Sequence, residues 1–278
     1  MMNRTIQPAI FRYGAAPFGV LLAAWLALAA GTPMDTPIPD NGILAVECAY
    51  SLTEPALEKL IGGAPEQGVY HYRAFVPDGY SHAPDKQYPC LFICSPTGNA
   101  PMDNVKDFAA EKQWIVVMLD ESKNGPSLPC YGNFLAAHDD ATNRFRIADN
   151  RKMATGFSGG ARVASRCIAL RPGFAGVVLQ GAGFSQHKNA AYAVEGMDKN
   201  RGMAVYALFG QEDENKREAA KLEQQLKGHK FKYELFPGGH AWAPPDHMRR
   251  AIEWVEGNNT VATRVKPGTL RSLKPPSK

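Results

Sequence analysis

The stretch that decides the fold is Gly156-Phe157-Ser158-Gly159-Gly160, in which glycines flank a serine on both sides. It follows the apolar run Met153-Ala154-Thr155 and precedes the helix-prone stretch Ala161-Arg162-Val163-Ala164-Ser165. This order predicts a strand, a tight turn at the serine, and a helix. Glycines lack a Cβ, so they let neighbouring backbone approach closely at such a turn. The turn raises the Ser158 hydroxyl above the sheet and directs the helix N-terminus at any negative charge beside it.

Two further motifs follow at the ends of predicted strands. Gly210-Gln211-Glu212-Asp213 comes after the apolar run from Val205 to Phe209, and Pro237-Gly238-Gly239-His240-Ala241-Trp242 comes after a run that ends at Phe236. A serine, an acid and a histidine therefore stand in this chain order, each at the carboxyl end of a strand. That is the order of nucleophile, acid and base in the catalytic triad of the α/β-hydrolases, whose serine occupies a nucleophile elbow.

With these motifs the chain resembles the secreted α/β-hydrolases of the esterase and dienelactone-hydrolase-like group. It is close to the polyhydroxybutyrate-depolymerase-like and feruloyl-esterase-like families. The resemblance is carried by residues 156–160, 210–213 and 238–242, and it covers roughly residues 68–256. It implies the α/β-hydrolase fold, ester hydrolysis through an acyl-enzyme, and no cofactor. It leaves the substrate open.

Ser158 is the candidate nucleophile, and the alternative is a serine that only caps the following helix. A serine hydroxyl is a poor nucleophile at neutral pH, so it needs a base within hydrogen-bond reach. His240 is the best base among the seven histidines, because two glycines free its loop to curl back over the sheet. His247 is the nearest rival, and its place at the start of the closing helix predicts that it faces solvent.

The third member of the triad holds the imidazole in one tautomer and stabilises the imidazolium as it forms. Asp213 is the candidate, at the acid position after its strand. Glu212 and Glu214 flank it and can substitute for it, and all three can instead be first-turn acids that favour the dipole of the next helix. Asp246 serves only if the usual position is vacant.

The oxyanion hole is where the chain departs from the family pattern. Related esterases commonly have a His-Gly pair after the strand equivalent to Cys90–Cys94, whereas this chain continues Ser95-Pro96-Thr97-Gly98-Asn99. Pro96 has no N–H to donate. We therefore predict that Thr97 supplies one backbone donor and that Gly159, the residue after the nucleophile, supplies the other.

Three aromatic residues are the predicted substrate-binding side chains. Trp242 follows the candidate base, Tyr131 lies in a loop predicted over residues 121–132, and Phe184 lies in a connection over residues 181–201 that also holds Tyr192. Such rings can stack on a sugar or on an aromatic acyl group, and they can equally be local packing. The predicted substrate is a small-molecule or carbohydrate-linked ester.

Strands alternate with helices along the chain, and most of the strands are apolar throughout. This pattern predicts an α/β fold with a mostly parallel central sheet and helices on both faces. Such sheets carry their sites at the carboxyl ends of the strands. Strands are predicted over residues 43–49, 69–76, 90–94, 114–119, 152–157, 174–180, 205–209 and 231–236. Helices are predicted after Pro55 and over residues 105–112, 134–147, 160–170, 214–226 and 248–255.

The two ends of the chain are predicted to lie outside the catalytic domain of residues 43–258. Residues 1–30 carry Arg4 and Arg12, an apolar stretch and the small-residue pattern Ala27-Leu28-Ala29, which is typical of a secretory signal peptide. The alternatives are a buried helix or a membrane anchor. Signal cleavage leaves no stable membrane span, so we expect export. Residues 31–42 contain three prolines and are predicted to be a flexible linker, and residues 259–278 a disordered basic tail.

Charge and cysteine content bear on which partners, metals and disulfides to expect. The formal net charge is +4, but the two N-terminal arginines and five basic residues of the tail account for more than this, so the remainder carries −3. The basic balance is therefore no argument for a nucleic-acid partner.

Of the five cysteines, Cys90 and Cys94 lie about 13 Å apart on one strand, too far for a disulfide. We expect no or one disulfide, and the spacing favours neither a zinc nor a redox site. Oligomeric state stays open.

These features together predict an exported serine esterase with a Ser-His-Asp triad. A serine peptidase is the rival within the enzymes, since the same fold and triad cleave amides. Such peptidases usually carry an added propeller or cap domain, for which 278 residues leave no room. The rival from another class is a non-catalytic α/β-hydrolase-like binding protein, for which an intact triad would be unnecessary.

Overall fold

A computed structural model describes residues 31–50, 54–65, 68–185 and 200–261. Eight strands form one sheet in the order β1-β2-β4-β3-β5-β6-β7-β8. The strands are β1 (Gly42–Tyr50), β2 (Gly68–Val76), β3 (Tyr88–Cys94), β4 (Ile115–Leu119), β5 (Ile147–Phe157), β6 (Phe174–Gln180), β7 (Ala204–Gly210) and β8 (Lys230–Phe236). The helices are α1 (Pro55–Ile61), α2 (Lys106–Lys112), α3 (Ser127–Arg144), α4 (Gly159–Leu170), α5 (Glu218–Gln225) and α6 (Pro245–Asn258).

The sheet is antiparallel only at the β1 edge. β1 pairs with β2 and β2 pairs with β4 in antiparallel register, and all other neighbours are parallel. Strands β3, β4, β6 and β7 are buried along their whole length, as expected for parallel strands covered on both faces. The predicted mostly parallel sheet is therefore confirmed.

Two apolar clusters fill the space between the sheet and its helices. Helices α1, α3, α4 and α5 contribute to the larger cluster on one face, and α2 and α6 contribute to the smaller cluster on the other. Since parallel strands run in one direction, the loops after β3, β5, β7 and β8 all emerge at the same edge of the sheet. Every sequence-predicted triad residue lies on one of these loops.

The segment 31–42, predicted to be a flexible linker, lies against the sheet and α3. The Thr32 N–H donates to the carbonyl of Glu47, and the Glu47 N–H donates back to the Thr32 hydroxyl, both at 2.8 Å. The buried Arg144 guanidinium donates to the carbonyls of Thr32 and Pro33. These bonds hold Thr32 and Pro33, at the beginning of a segment whose proline content predicted mobility.

The remaining predictions about the ends lie largely outside the described residues. Residues 1–30, the predicted signal peptide, are not among them, nor are residues 262–278 of the predicted tail. The first residues of that tail are held, because the Thr260 N–H donates to the carbonyl of Gly202 at 2.7 Å. Within the part of the chain that the structure describes, no helix combines the length and apolar character needed to cross a membrane.

Helix α3 differs from its prediction at both ends. It begins at Ser127 rather than Phe134, so Tyr131 lies in the helix and not in a loop. Pro129 is its third residue, where a missing N–H costs nothing because the first turn has no intrahelical acceptors. The helix ends at Arg144, and residues 147–151, predicted to be helical or irregular, already belong to β5.

All five cysteines lie among the described residues, and each is buried and free. Burial raises the pKa of the Cys48 thiol to about 12. A thiol held in its neutral form is a weak nucleophile and a weak metal ligand. Cys48 therefore acts as a small apolar side chain in the core.

His138 of α3 and Lys152 of β5 form a buried polar pair between this helix and the sheet. The Lys152 Nζ lies 3.0 Å from His138 Nε2, and His138 Nδ1 lies 2.9 Å from a carboxylate oxygen of Asp139. The ring packs among Phe92, Phe134 and Phe174. Burial lowers the pKa of His138 to about 4, and the ammonium on Nε2 opposes a second ring proton.

The low pKa of His138 makes stability depend on pH. The unfolded chain takes up the histidine proton below about pH 6.5, whereas the folded chain resists until about pH 4, so stability falls as the pH drops through this window. The loss by pH 4 is up to about 3 kcal/mol. Urea unfolding at pH 7 and pH 5 should show a smaller difference for His138→Gln than for the unsubstituted protein. Equal pH dependence in the two proteins would contradict this assignment.

Candidate active site

Ser158 occupies a sharp turn between β5 and α4. Its φ is 52° and its ψ is −119°, a conformation that residues with a side chain rarely adopt. Close backbone packing imposes the turn, because a Cβ on Gly156 would lie 2.4 Å from Gly160 backbone and 2.7 Å from the Cys94 carbonyl oxygen. The Ser158 N–H donates to the Gln180 carbonyl at 2.8 Å, which ties the turn to β6. The sequence-predicted elbow is therefore a strained, tightly packed turn.

The structure brings the three predicted triad side chains together. His240 Nε2 lies 2.9 Å from the Ser158 hydroxyl oxygen, and His240 Nδ1 lies 2.8 Å from Asp213 Oδ2. The Asp213 side chain is 3% exposed, whereas that of His240 is 41% exposed. A continuous hydrogen-bonded relay thus runs from a buried carboxylate to an accessible hydroxyl. This arrangement can move a proton between Ser158 and His240.

Asp213 is fixed by the loop that follows β7. Its Oδ1 accepts the N–H of Asn215 at 2.8 Å, which leaves Oδ2 for the imidazole. The Asn215 side-chain amide donates to the Gly181 carbonyl at 2.8 Å. The two neighbouring acids, Glu212 and Glu214, are exposed, and Glu214 forms an ion pair with Arg217. Of the three neighbouring acids, Asp213 alone reaches His240 among the described contacts.

The other histidine considered from the sequence lies elsewhere. His247 is largely buried, with 13% of its side chain exposed, rather than facing solvent as predicted. Its Nδ1 lies 2.7 Å from a carboxylate oxygen of Glu234, and its ring packs near Phe236. His247 therefore belongs to the contact between β8 and α6.

A buried amide network, which sequence reasoning missed, supports the histidine loop. The Gln180 side chain is fully buried and donates to the Thr155 hydroxyl at 3.0 Å. Its oxygen accepts from the Ala243 N–H at 3.1 Å and from the Asn104 amide at 3.0 Å. Gln180 thereby links β5 and β6 to the loop three residues after His240. The sequence feature that points to this network is Gln180 itself, a single polar residue at the carboxyl end of the otherwise apolar strand β6.

The predicted substrate-binding aromatics fall into two groups. Trp242 is partly exposed and lies beside the triad, since the Phe157 ring centroid is 5.4 Å from its ring and 4.6 Å from that of His240. Tyr131 and Phe184 are only 4% and 6% exposed and belong to the larger core cluster. They are core side chains here, rather than the exposed pocket rim that loop composition predicted. Tyr192 lies outside the described residues.

The two predicted oxyanion donors differ in their surroundings. Gly159 is the first residue of α4, where N–H groups have no intrahelical acceptor. The Thr97 N–H instead donates to the Ser95 hydroxyl oxygen at 3.2 Å. Gly159 is thus placed to receive negative charge next to Ser158, and the Thr97 N–H is engaged within its own loop.

Comparisons with known proteins agree with this architecture. No protein-family model matches the sequence, and no curated protein matches it. Among solved structures, a mutant feruloyl esterase module from Clostridium thermocellum complexed with sinapinate is 15% identical, with a TM-score of 0.56 over 81% of this chain and 93% of that one. A ferulic acid esterase is 14% identical, with a TM-score of 0.55 over 77% and 98%.

A peptidase also resembles this chain. The dipeptidyl peptidase 4 of Porphyromonas gingivalis is 15% identical, with a TM-score of 0.50, and the match covers 69% of this chain and 34% of that one. At such identities the likeness shows the fold alone. The chain has the α/β-hydrolase fold, as its sequence predicted, and esterases are among the solved structures that it resembles.

Proposed function

We propose that this protein is an exported serine carboxylic-ester hydrolase that acts on a small or carbohydrate-linked ester. Two hydrogen bonds carry the proposal. One joins His240 Nε2 to the Ser158 hydroxyl oxygen at 2.9 Å, and the other joins His240 Nδ1 to Asp213 Oδ2 at 2.8 Å. In this assignment Ser158 is the nucleophile, His240 is the general base and acid, and Asp213 orients the imidazole. The strained turn and the free N–H of the first helical residue are the surroundings that such a nucleophile requires.

In the proposed reaction every proton has a donor and an acceptor. Asp213 accepts a hydrogen bond from the Nδ1–H of His240, which leaves Nε2 to take the Ser158 proton as Oγ bonds to the ester carbonyl carbon. The carbonyl oxygen becomes an oxyanion, to which the Gly159 N–H donates. When the intermediate collapses, the bond to the alkoxy oxygen breaks and His240 gives that oxygen its proton. Water then repeats the sequence on the acyl-enzyme and releases the carboxylic acid.

Labelling with a fluorophosphonate separates this proposal from its rivals. The probe phosphonylates an activated serine and releases fluoride, so we expect label on Ser158 and none on Ser158→Ala. Short-chain nitrophenyl esters, acetylated xylan and feruloyl esters then define the substrate, alongside peptide anilides. An unlabelled but folded protein would indicate a binding protein, and preferential cleavage of the anilides would indicate a peptidase. Appearance of a shortened chain outside the cytoplasm of an expressing cell tests export.

A further inference from the structure

Neither residue 96 nor residue 97 offers a free backbone N–H as the second donor of the oxyanion hole. Pro96 has no N–H, and the Thr97 N–H donates to the buried Ser95 hydroxyl oxygen. Esterases of this fold stabilise the oxyanion with two donors. One is available at Gly159, so a second group near this residue is needed.

A neighbouring loop supplies such a group. The segment 122–124 runs alongside the Ser95–Gly98 segment, because the Asn124 N–H donates to the Pro96 carbonyl at 2.7 Å and the Gly98 N–H donates to the Ser122 carbonyl at 2.9 Å. An antiparallel bridge between Thr97 and Lys123 joins the same segments. These bonds fix the backbone from which the exposed Asn124 side chain extends.

The Asn124 side-chain amide lies directly against Gly159. A Cβ built on Gly159 would be 1.8 Å from Asn124 Oδ1 and 3.6 Å from Nδ2, so the amide occupies the space that a side chain at position 159 would fill. The absence of a side chain at Gly159 is therefore what admits Asn124. The amide therefore lies next to the residue whose N–H is the first donor of the proposed oxyanion hole.

We propose that Asn124 is a catalytic residue whose side-chain amide donates to the oxyanion together with the Gly159 N–H. This inference rests on the proposed function. The carboxamide has an acceptor at one end and two N–H donors at the other, and a turn about its last torsion exchanges their positions. An exposed side chain makes that turn without disturbing the core. The developing negative charge favours the donor end.

Substitution of Asn124 in the full chain tests the assignment. Loss of one oxyanion donor lowers kcat by about 100-fold or more, so Asn124→Ala should lower kcat for nitrophenyl acetate by this factor and change KM less than about twofold. Asn124→Asp should lower kcat further, because the negative carboxylate would repel the oxyanion. Lys123→Ala, the exposed neighbour on the same loop, is the matched control and should keep its activity.

A double substitution separates a catalytic role from a structural one. The methyl group of Gly159→Ala takes the place of Asn124 Oδ1 and displaces the amide, so we expect a loss similar to that of Asn124→Ala. The variant with both substitutions should lose no more than either alone, since each removes the same donor. The affinity for phenylboronic acid, a transition-state analogue, should fall by the same factor as kcat, while the unfolding midpoint of Asn124→Ala stays unchanged.

The outcomes distinguish this inference from the proposed function beneath it. If the unsubstituted protein neither labels with a fluorophosphonate nor cleaves esters, the proposed function fails. If it does both and Asn124→Ala keeps its kcat, only the role of Asn124 is overturned. The role of Asn124 would also be overturned if the losses in kcat of the two single variants multiplied in the double variant. An effect of Asn124→Ala on KM alone would overturn it as well.

Discussion

Replacing Ser158 with alanine should lower kcat for nitrophenyl acetate by about four to six orders of magnitude. The hydroxyl oxygen, 2.9 Å from His240 Nε2, is the only atom of the relay that forms the acyl bond in our proposal. Without it neither acylation nor proton transfer to the imidazole takes place. Steady-state kinetics and intact-protein mass after fluorophosphonate treatment are the measurements.

The fold should survive this substitution. Alanine keeps the Cβ and the backbone N–H that donates to the Gln180 carbonyl, so the free energy of unfolding should change by less than about 0.5 kcal/mol. Ser127→Ala, at an exposed serine that begins α3, is the matched control and should retain full turnover. Retention of most esterase activity by Ser158→Ala would refute the central assignment.

Replacing Asp213 with asparagine should lower kcat by about 10⁴-fold through a tautomer effect. Asp213 Oδ1 accepts the Asn215 N–H, so the amide of the asparagine must keep its oxygen at that position. Its NH₂ group then faces His240 Nδ1 and donates to it. The imidazole proton moves to Nε2, which can no longer accept the proton of Ser158.

A matched variant tests whether this effect belongs to the buried acid alone. Glu212→Gln changes the exposed carboxylate next to it and should alter kcat less than about twofold, as a solvated charge is well screened. A ¹⁵N spectrum of the histidine ring should show Nδ1–H in the unsubstituted protein and Nε2–H in Asp213→Asn. If Glu212→Gln loses as much activity as Asp213→Asn, the assignment of the acid is wrong.

Local patterns predicted the parts of the fold that local forces determine. The apolar run of β6 was predicted over its observed length, Phe174–Gln180, because a strand covered on both faces is apolar from end to end. The start of α3 was missed, since Pro126 and Pro129 read as loop residues although proline is tolerated in a first helical turn. The start of β5 was missed because three polar residues that are exposed or partly exposed, Asp149, Asn150 and Arg151, interrupt its apolar pattern.

The part of the candidate site that could be predicted is the part that the order of the residues along the chain determines. Ser158, Asp213 and His240 follow three strands of one parallel sheet, so topology alone brings them to one edge. Tyr131 and Phe184 show the opposite case, since an aromatic residue in a polar segment gives no sign of whether its ring turns inward. Contacts between distant segments, such as Asn124 with Gly159, depend on how two loops meet and leave no local pattern.

The backbone conformation of Ser158 bears on the evolutionary history of the chain. A positive φ at a residue with a side chain costs of order 1–3 kcal/mol, which glycine would largely avoid. A lineage in which the hydroxyl served no purpose would therefore gain stability from a Ser158→Gly substitution, and mutational drift would favour it. Under the proposed function, selection for the hydroxyl is what retains serine at this position. Among descendants of this fold that have lost hydrolysis, we expect glycine to replace the serine before the surrounding turn changes.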